Sequence, residues 1–91
     1  LAQKLVGLGL GLAAQDEEIG KLDRVLATDE QLIALRESVV RARSEQLKLG
    51  TATTSDYITE LNKENAARLG QEAHELQRLL AQRVRLNIAG L

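Results

Sequence analysis

The chain contains no proline, cysteine, methionine, tryptophan or phenylalanine, and its one aromatic residue is Tyr57. Globular cores draw heavily on large aromatic side chains, so a compact core of the ordinary kind is not expected. The lack of proline removes the commonest helix breaker. The lack of cysteine excludes a disulfide framework or thiolate chemistry and leaves the compartment open, because a helical protein needs no disulfide in any of them. Charge of one sign is also missing: 12 basic and 13 acidic residues are interspersed, for a net charge of −1. A nucleic-acid partner is not expected, since it calls for a basic face and often for stacking aromatics. The longest apolar run, Leu5 to Ala14, is about half the length of a membrane-spanning helix, so no span is expected.

What remains is a helix-forming composition. Apolar residues make up 44% of the 91 positions and are nearly all Leu, Ala, Val and Ile, joined by Glu, Gln, Lys and Arg. The expected fold class is all-α: a long antiparallel, coiled-coil-like helical hairpin. The chain starts at Leu1, has no signal-peptide pattern, and reads as a segment of a longer protein.

The hairpin is organised around Leu47 to Ile58. Gly50 can take the left-handed conformation that ends a helix, and Thr53 and Asp56 are spaced as Thr-x-x-Asp, a near relative of the capping box that starts one. A stop followed so closely by a start reverses the chain. Residues 16–49 are expected to form the first helix, 50–53 the tip and 54–89 the second helix. Residues 1–15 form a lead-in in which Leu or Val alternates with Gly7, Gly9 and Gly11. That lead-in reads as a fraying helical extension, though strict alternation also suits a strand. Its glycines lack the spacing of a phosphate-binding loop.

In the first arm, apolar pairs recur every seven residues: Val25 and Leu26, Leu32 and Ile33, Val39 and Val40, then Leu47. Such a repeat marks a coiled-coil seam, and pairs make the stripe wide enough for more than one neighbour. In the second arm, Ile58, Leu61, Leu69, Ala73, Leu76, Leu80 and Val84 keep one helical face, while Ala66, Ala67, Ala73 and Ala81 would admit a close partner helix. Folding the arms about the tip sets Leu26 opposite Gln77 and Gly90 opposite Ala13. Two helices bury little surface for their length, so the hairpin is expected to want further partners.

No catalytic constellation stands out. His74 is the only histidine and reads as solvated helix face rather than as a metal ligand. Asp29-Glu30 and Asp16-Glu17-Glu18 read as charged surface. Neither an enzyme, a metal site nor a cofactor is expected. Tyr57 suits either a contact at the tip or packing in the first turn of the second helix.

The tip and second arm resemble the TolC-like family of outer-membrane efflux and secretion channels. Gly50, Thr53 and Asp56 stand at the spacings of that family's Gly-x-x-Thr-x-x-Asp tip, and Leu86-Asn87-Ile88-Ala89-Gly90 closes the second helix as in the family. The runs Asp29 to Val40 and Asp56 to Asn62 are similar too, so the resemblance covers roughly residues 17 to 90. It implies that the hairpin is a segment of a helical barrel, the periplasmic tunnel of a trimeric channel in a Gram-negative outer membrane. It also implies that the tip meets the hairpins of a periplasmic adaptor, with the contact falling on Leu49, Gly50 and Thr51. Some members ring the narrow end with acidic residues one turn apart; Asp56 matches the first position and Thr59 stands at the second, making Asp56 the candidate for a constriction. Leu47 stands where the family often has an aromatic, and Ala52 where some members have a basic residue. Two alternatives stay open. One is the adaptor itself, onto whose hairpin pattern Arg43, Leu47 and Thr54 can be laid, although an adaptor would continue into a proline-containing half. The other is a coiled-coil scaffold of unrelated role.

Overall fold

The computed structural model describes the backbone of residues 2–90 and the side chains of residues 11–90. Two helices make up nearly all of it: α1, Ala2–Lys48, and α2, Thr54–Ile88, with no strand among the described residues. α2 returns antiparallel along α1, so the fold is an all-α helical hairpin. Helix formers occupy most positions, and the sharp signals for stopping and starting are confined to the tip.

The backbone is helical through the Leu-Gly alternation, with no break at Asp16 and no strand. Apart from Gly11, the side-chain surroundings of this stretch lie outside the described residues. At Gly11 the missing side chain has a use: a Cβ there would sit 3.4 Å from two side-chain carbons of Ile88. The glycine thus lets the end of α2 lie close to α1.

The chain divides into two units, Leu1–Leu26 with Ala73–Leu91, and Ala27–Glu72. In the first, Leu22 on α1 and Ala81 on α2 are buried, and the register of the hairpin sets them opposite each other. Ile19, Leu26 and Ile88 are half-buried around them. Two ion pairs bridge the helices, Arg78 Nε to Asp23 Oδ1 and Arg85 Nε to Asp16 Oδ1, both at 2.5 Å.

In the second unit Ile33 is buried, and Val40, Leu47, Leu61 and Ala67 are half-buried. Arg68 bridges the helices, donating to Glu37 on α1 and, at 3.0 Å, to Glu64 one turn before it on α2. The Glu64 carboxylate first, then Glu37, raises the Arg68 guanidinium further above its ordinary range. In each of these cross-helix pairs the acid is on α1 and the base on α2, within two residues of the register expected from folding about the tip.

Two charged residues depart from expectation. Asp29, read as charged surface, is only 9% exposed, because it occupies the α1 seam between Leu26 and Ile33. His74, read as solvated, is half-buried, because it shares the inward side of α2 with Arg78 and Ala81. Both have interaction partners.

Candidate functional site at the hairpin tip

The last turn of α1 leaves carbonyls without helical donors, and the chain must supply donors to them. It does so with a Schellman closure. Gly50, at φ +75°, donates its N–H to the Leu47 carbonyl at 3.1 Å, and Thr51 N–H reaches the Gln46 carbonyl at 2.8 Å. The same Gln46 carbonyl accepts from Ala52 N–H at 3.3 Å and from the Thr51 hydroxyl at 3.2 Å. The Gln46 side chain is held in turn by Arg43, whose Nη1 donates to Oε1 at 2.7 Å.

The first turn of α2 leaves N–H groups without acceptors, and here the Thr-x-x-Asp spacing works as a reciprocal capping box. Asp56 N–H donates to the Thr53 hydroxyl and Thr53 N–H donates to Asp56 Oδ2, each at 3.0 Å. The Thr53 backbone bond, followed by the Thr53 hydroxyl bond, holds the Asp56 carboxyl below its usual value, and the positive charge of Arg43 adds to the effect. Thr59 donates its hydroxyl to the Ser55 carbonyl at 2.9 Å and so stays tied to its own helix.

The reversal is closed by short-range hydrogen bonds, and its apex residues are exposed. Leu49 is 76% exposed, and Gly50, Thr51 and Asp56 are exposed as well. The four residues singled out from the sequence are thus all exposed at the reversal, Leu49, Gly50 and Thr51 in the turn itself and Asp56 in the first turn of α2. Tyr57 is half-buried in the first turn of α2, where its N–H closes onto the Thr53 carbonyl at 3.2 Å.

A second feature is the outward sides of the helices. In Ala27–Glu72, Leu32 and Leu35 of α1 and Ile58 and Leu69 of α2 are exposed; in the other unit Leu76, Leu79, Leu80, Val84 and Leu86 of α2 are exposed. Of the apolar positions that define the α2 face in the sequence, only Leu61 is half-buried. The inward side of α2 carries instead Glu64, Ala67, Gly70, Gln71, His74, Arg78, Ala81 and Arg85. The cross-helix ion pairs escaped the sequence reading, though a signal existed: Asp16, Asp23, Glu30 and Glu37 recur every seven residues on α1.

An open groove of about 330 Å³ runs beside the Asp16–Arg85 pair, lined also by Ile19, Gln82 and Leu86. No group of three or more potential metal ligands occurs among the described residues, and no described helix is long and apolar enough to cross a membrane. No protein-family model, curated protein or solved structure matches the chain.

Proposed function

We propose that this chain is a wall hairpin of a periplasmic tunnel in a TolC-like outer-membrane channel, and that its tip docks the hairpin of a periplasmic adaptor. The observation that carries the reading is the tip. A Schellman closure at Gly50 followed within three residues by a capping box at Thr53 and Asp56 forms a rigid apex with Leu49 presented at its end. Rigid display of an apolar anchor reduces the ordering cost of docking. The outward apolar positions on both helices support a wall role, since a tunnel hairpin has neighbours on two sides. In a trimer of such chains, Asp56 would lie near the narrow end, and the bonds from Thr53 that hold its carboxyl below the usual value would keep it anionic there at neutral pH.

Leu49 tests the docking reading without disturbing the fold, because it is already exposed. Titrating the chain with isolated adaptor hairpins should give binding that Leu49→Asp abolishes while helix content stays unchanged. Equal binding by the variant would remove the tip from the interface.

A further inference from the structure

We infer that Arg43 is a positioning residue for the tip: through the Gln46 side chain it steadies the carbonyl on which the reversal closes, and with it the turn that displays Leu49. Arg43 and Gln46 lie one turn apart on α1, and both are half-buried close to an exposed apex. Arg43 Nη1 donates to Gln46 Oε1 at 2.7 Å, a charge-assisted bond between side chains on one side of the helix. The Gln46 carbonyl has no helical donor, because Gly50 N–H turns to Leu47 instead. It accepts Thr51 N–H at 2.8 Å, Ala52 N–H at 3.3 Å and the Thr51 hydroxyl at 3.2 Å. Residues 47–50 are looped between that acceptor and its donors, so the placement of Leu49 depends on how firmly Gln46 is held.

A second observation places the Arg43 charge. The two bonds from Thr53 do most to hold the Asp56 carboxyl below its usual value, and the positive charge of Arg43 adds to them. Asp56 is the acid of the box that caps α2. Arg43 therefore acts on both sides of the reversal, by a hydrogen bond at the end of α1 and by attraction at the start of α2. Lys48 and Lys63 are instead engaged by Glu45 and Glu60 of their own helices. That the ordered turn docks a partner rests on the channel reading; that Arg43 orders it does not.

Arg43→Leu and Arg43→Lys test the inference in the 91-residue chain, by amide hydrogen exchange, by titration of the Asp56 carboxyl followed by nuclear magnetic resonance, and by binding of adaptor hairpins. Leucine keeps an apolar stem at the half-buried position without donor or charge. It should speed exchange at Thr51 and Ala52 about tenfold, the loss of one hydrogen bond to a charged group, and leave Ala67 and Ala81 unchanged. It should also raise the Asp56 titration toward the ordinary carboxylate value and weaken adaptor binding with Leu49 intact. Arg43→Lys keeps the charge and a donor, so it should restore the Asp56 titration and most of the protection. Unchanged exchange at Thr51 and Ala52 in Arg43→Leu would overturn the inference. So would exchange that quickens equally at Ala67, the mark of general destabilisation, or a lysine that rescues nothing. Undiminished adaptor binding by Arg43→Leu with a loosened tip would overturn its part in docking. A wild-type chain that binds no adaptor hairpin would sink the docking reading alone, since exchange and titration judge Arg43 by themselves.

Discussion

Replacing Gly50 separates backbone strain from steric contact at the point where the chain reverses. Gly50 sits at φ +75°, and nothing lies within 4 Å of the place a Cβ would occupy. An alanine side chain there touches nothing, so its whole penalty is the left-handed conformation of an L residue, about 1–2 kcal/mol. D-alanine has the mirror preference. It would sit in the same conformation without strain and would narrow the unfolded ensemble, adding about 0.4–1 kcal/mol of stability. Both enantiomers narrow the unfolded ensemble alike, so they should differ by the strain alone, about 1–2 kcal/mol, with D-alanine the more stable. A chain of 91 residues can be assembled by peptide ligation, which makes the D-alanine variant accessible. Urea unfolding should be read at one fixed chain concentration, because self-association shifts apparent stability. L-alanine should move the midpoint down and D-alanine up, with the slope unchanged. Equal effects of the two enantiomers, or a neutral L-alanine, would refute the reasoning that the turn depends on a left-handed glycine.

Other substitutions test other parts of the account. Thr53→Ala should cost about 0.5–2 kcal/mol, as loss of a helix N-cap usually does, read by urea unfolding. The Asp56 contribution should depend on pH: the bonds from Thr53 hold its folded carboxyl below the usual carboxylate value, so the stabilisation is complete above the unfolded value and disappears as pH falls through the depressed one. Asp56→Asn and wild type should accordingly differ in stability at pH 7 and converge at strongly acid pH; a difference that persists in acid would contradict the capping role. Ile33→Ala removes a buried side chain and should cost about 2–5 kcal/mol, whereas Leu35→Ala, on the exposed side of α1, should stay within about 0.5 kcal/mol. Gly70→Ala should stabilise by about 0.5–1 kcal/mol, because Gly70 is inside α2 and a Cβ there meets nothing within 4 Å. A destabilised Gly70→Ala, seen as a lower melting temperature, would place a neighbour against that position.

The tip was legible in the sequence because its structure is local. The Schellman closure and the capping box join residues no more than five or six apart, and glycine, threonine and aspartate at those spacings have few other roles. The α1 seam was half legible. The seven-residue pairs were visible, and Leu26, Ile33 and Val40 are the members on the side of buried Leu22, whereas Leu32 is exposed. The orientation of α2 was not legible. Periodicity locates an apolar face but does not say which neighbour covers it, and here Leu69, Leu76 and Leu80 turn away from α1 while Arg78, Ala81 and Arg85 turn toward it. The ion pairs explain part of that choice, since Arg78 and Arg85 must reach Asp23 and Asp16. Exposed pairs are worth about 0–1 kcal/mol each, less than burying a leucine, so the outward leucines themselves argue for partners beyond this chain. Asp29 was misread for a related reason: a seam position buries whatever occupies it.

Hydrogen exchange of the chain with and without an adaptor hairpin tests the proposed role most directly, because it reports where a partner sits. Added protection should be confined to the tip, from Gln46 through Tyr57, and should be lost in Leu49→Asp. No added protection, or protection spread along α2 with the tip unchanged, would contradict it.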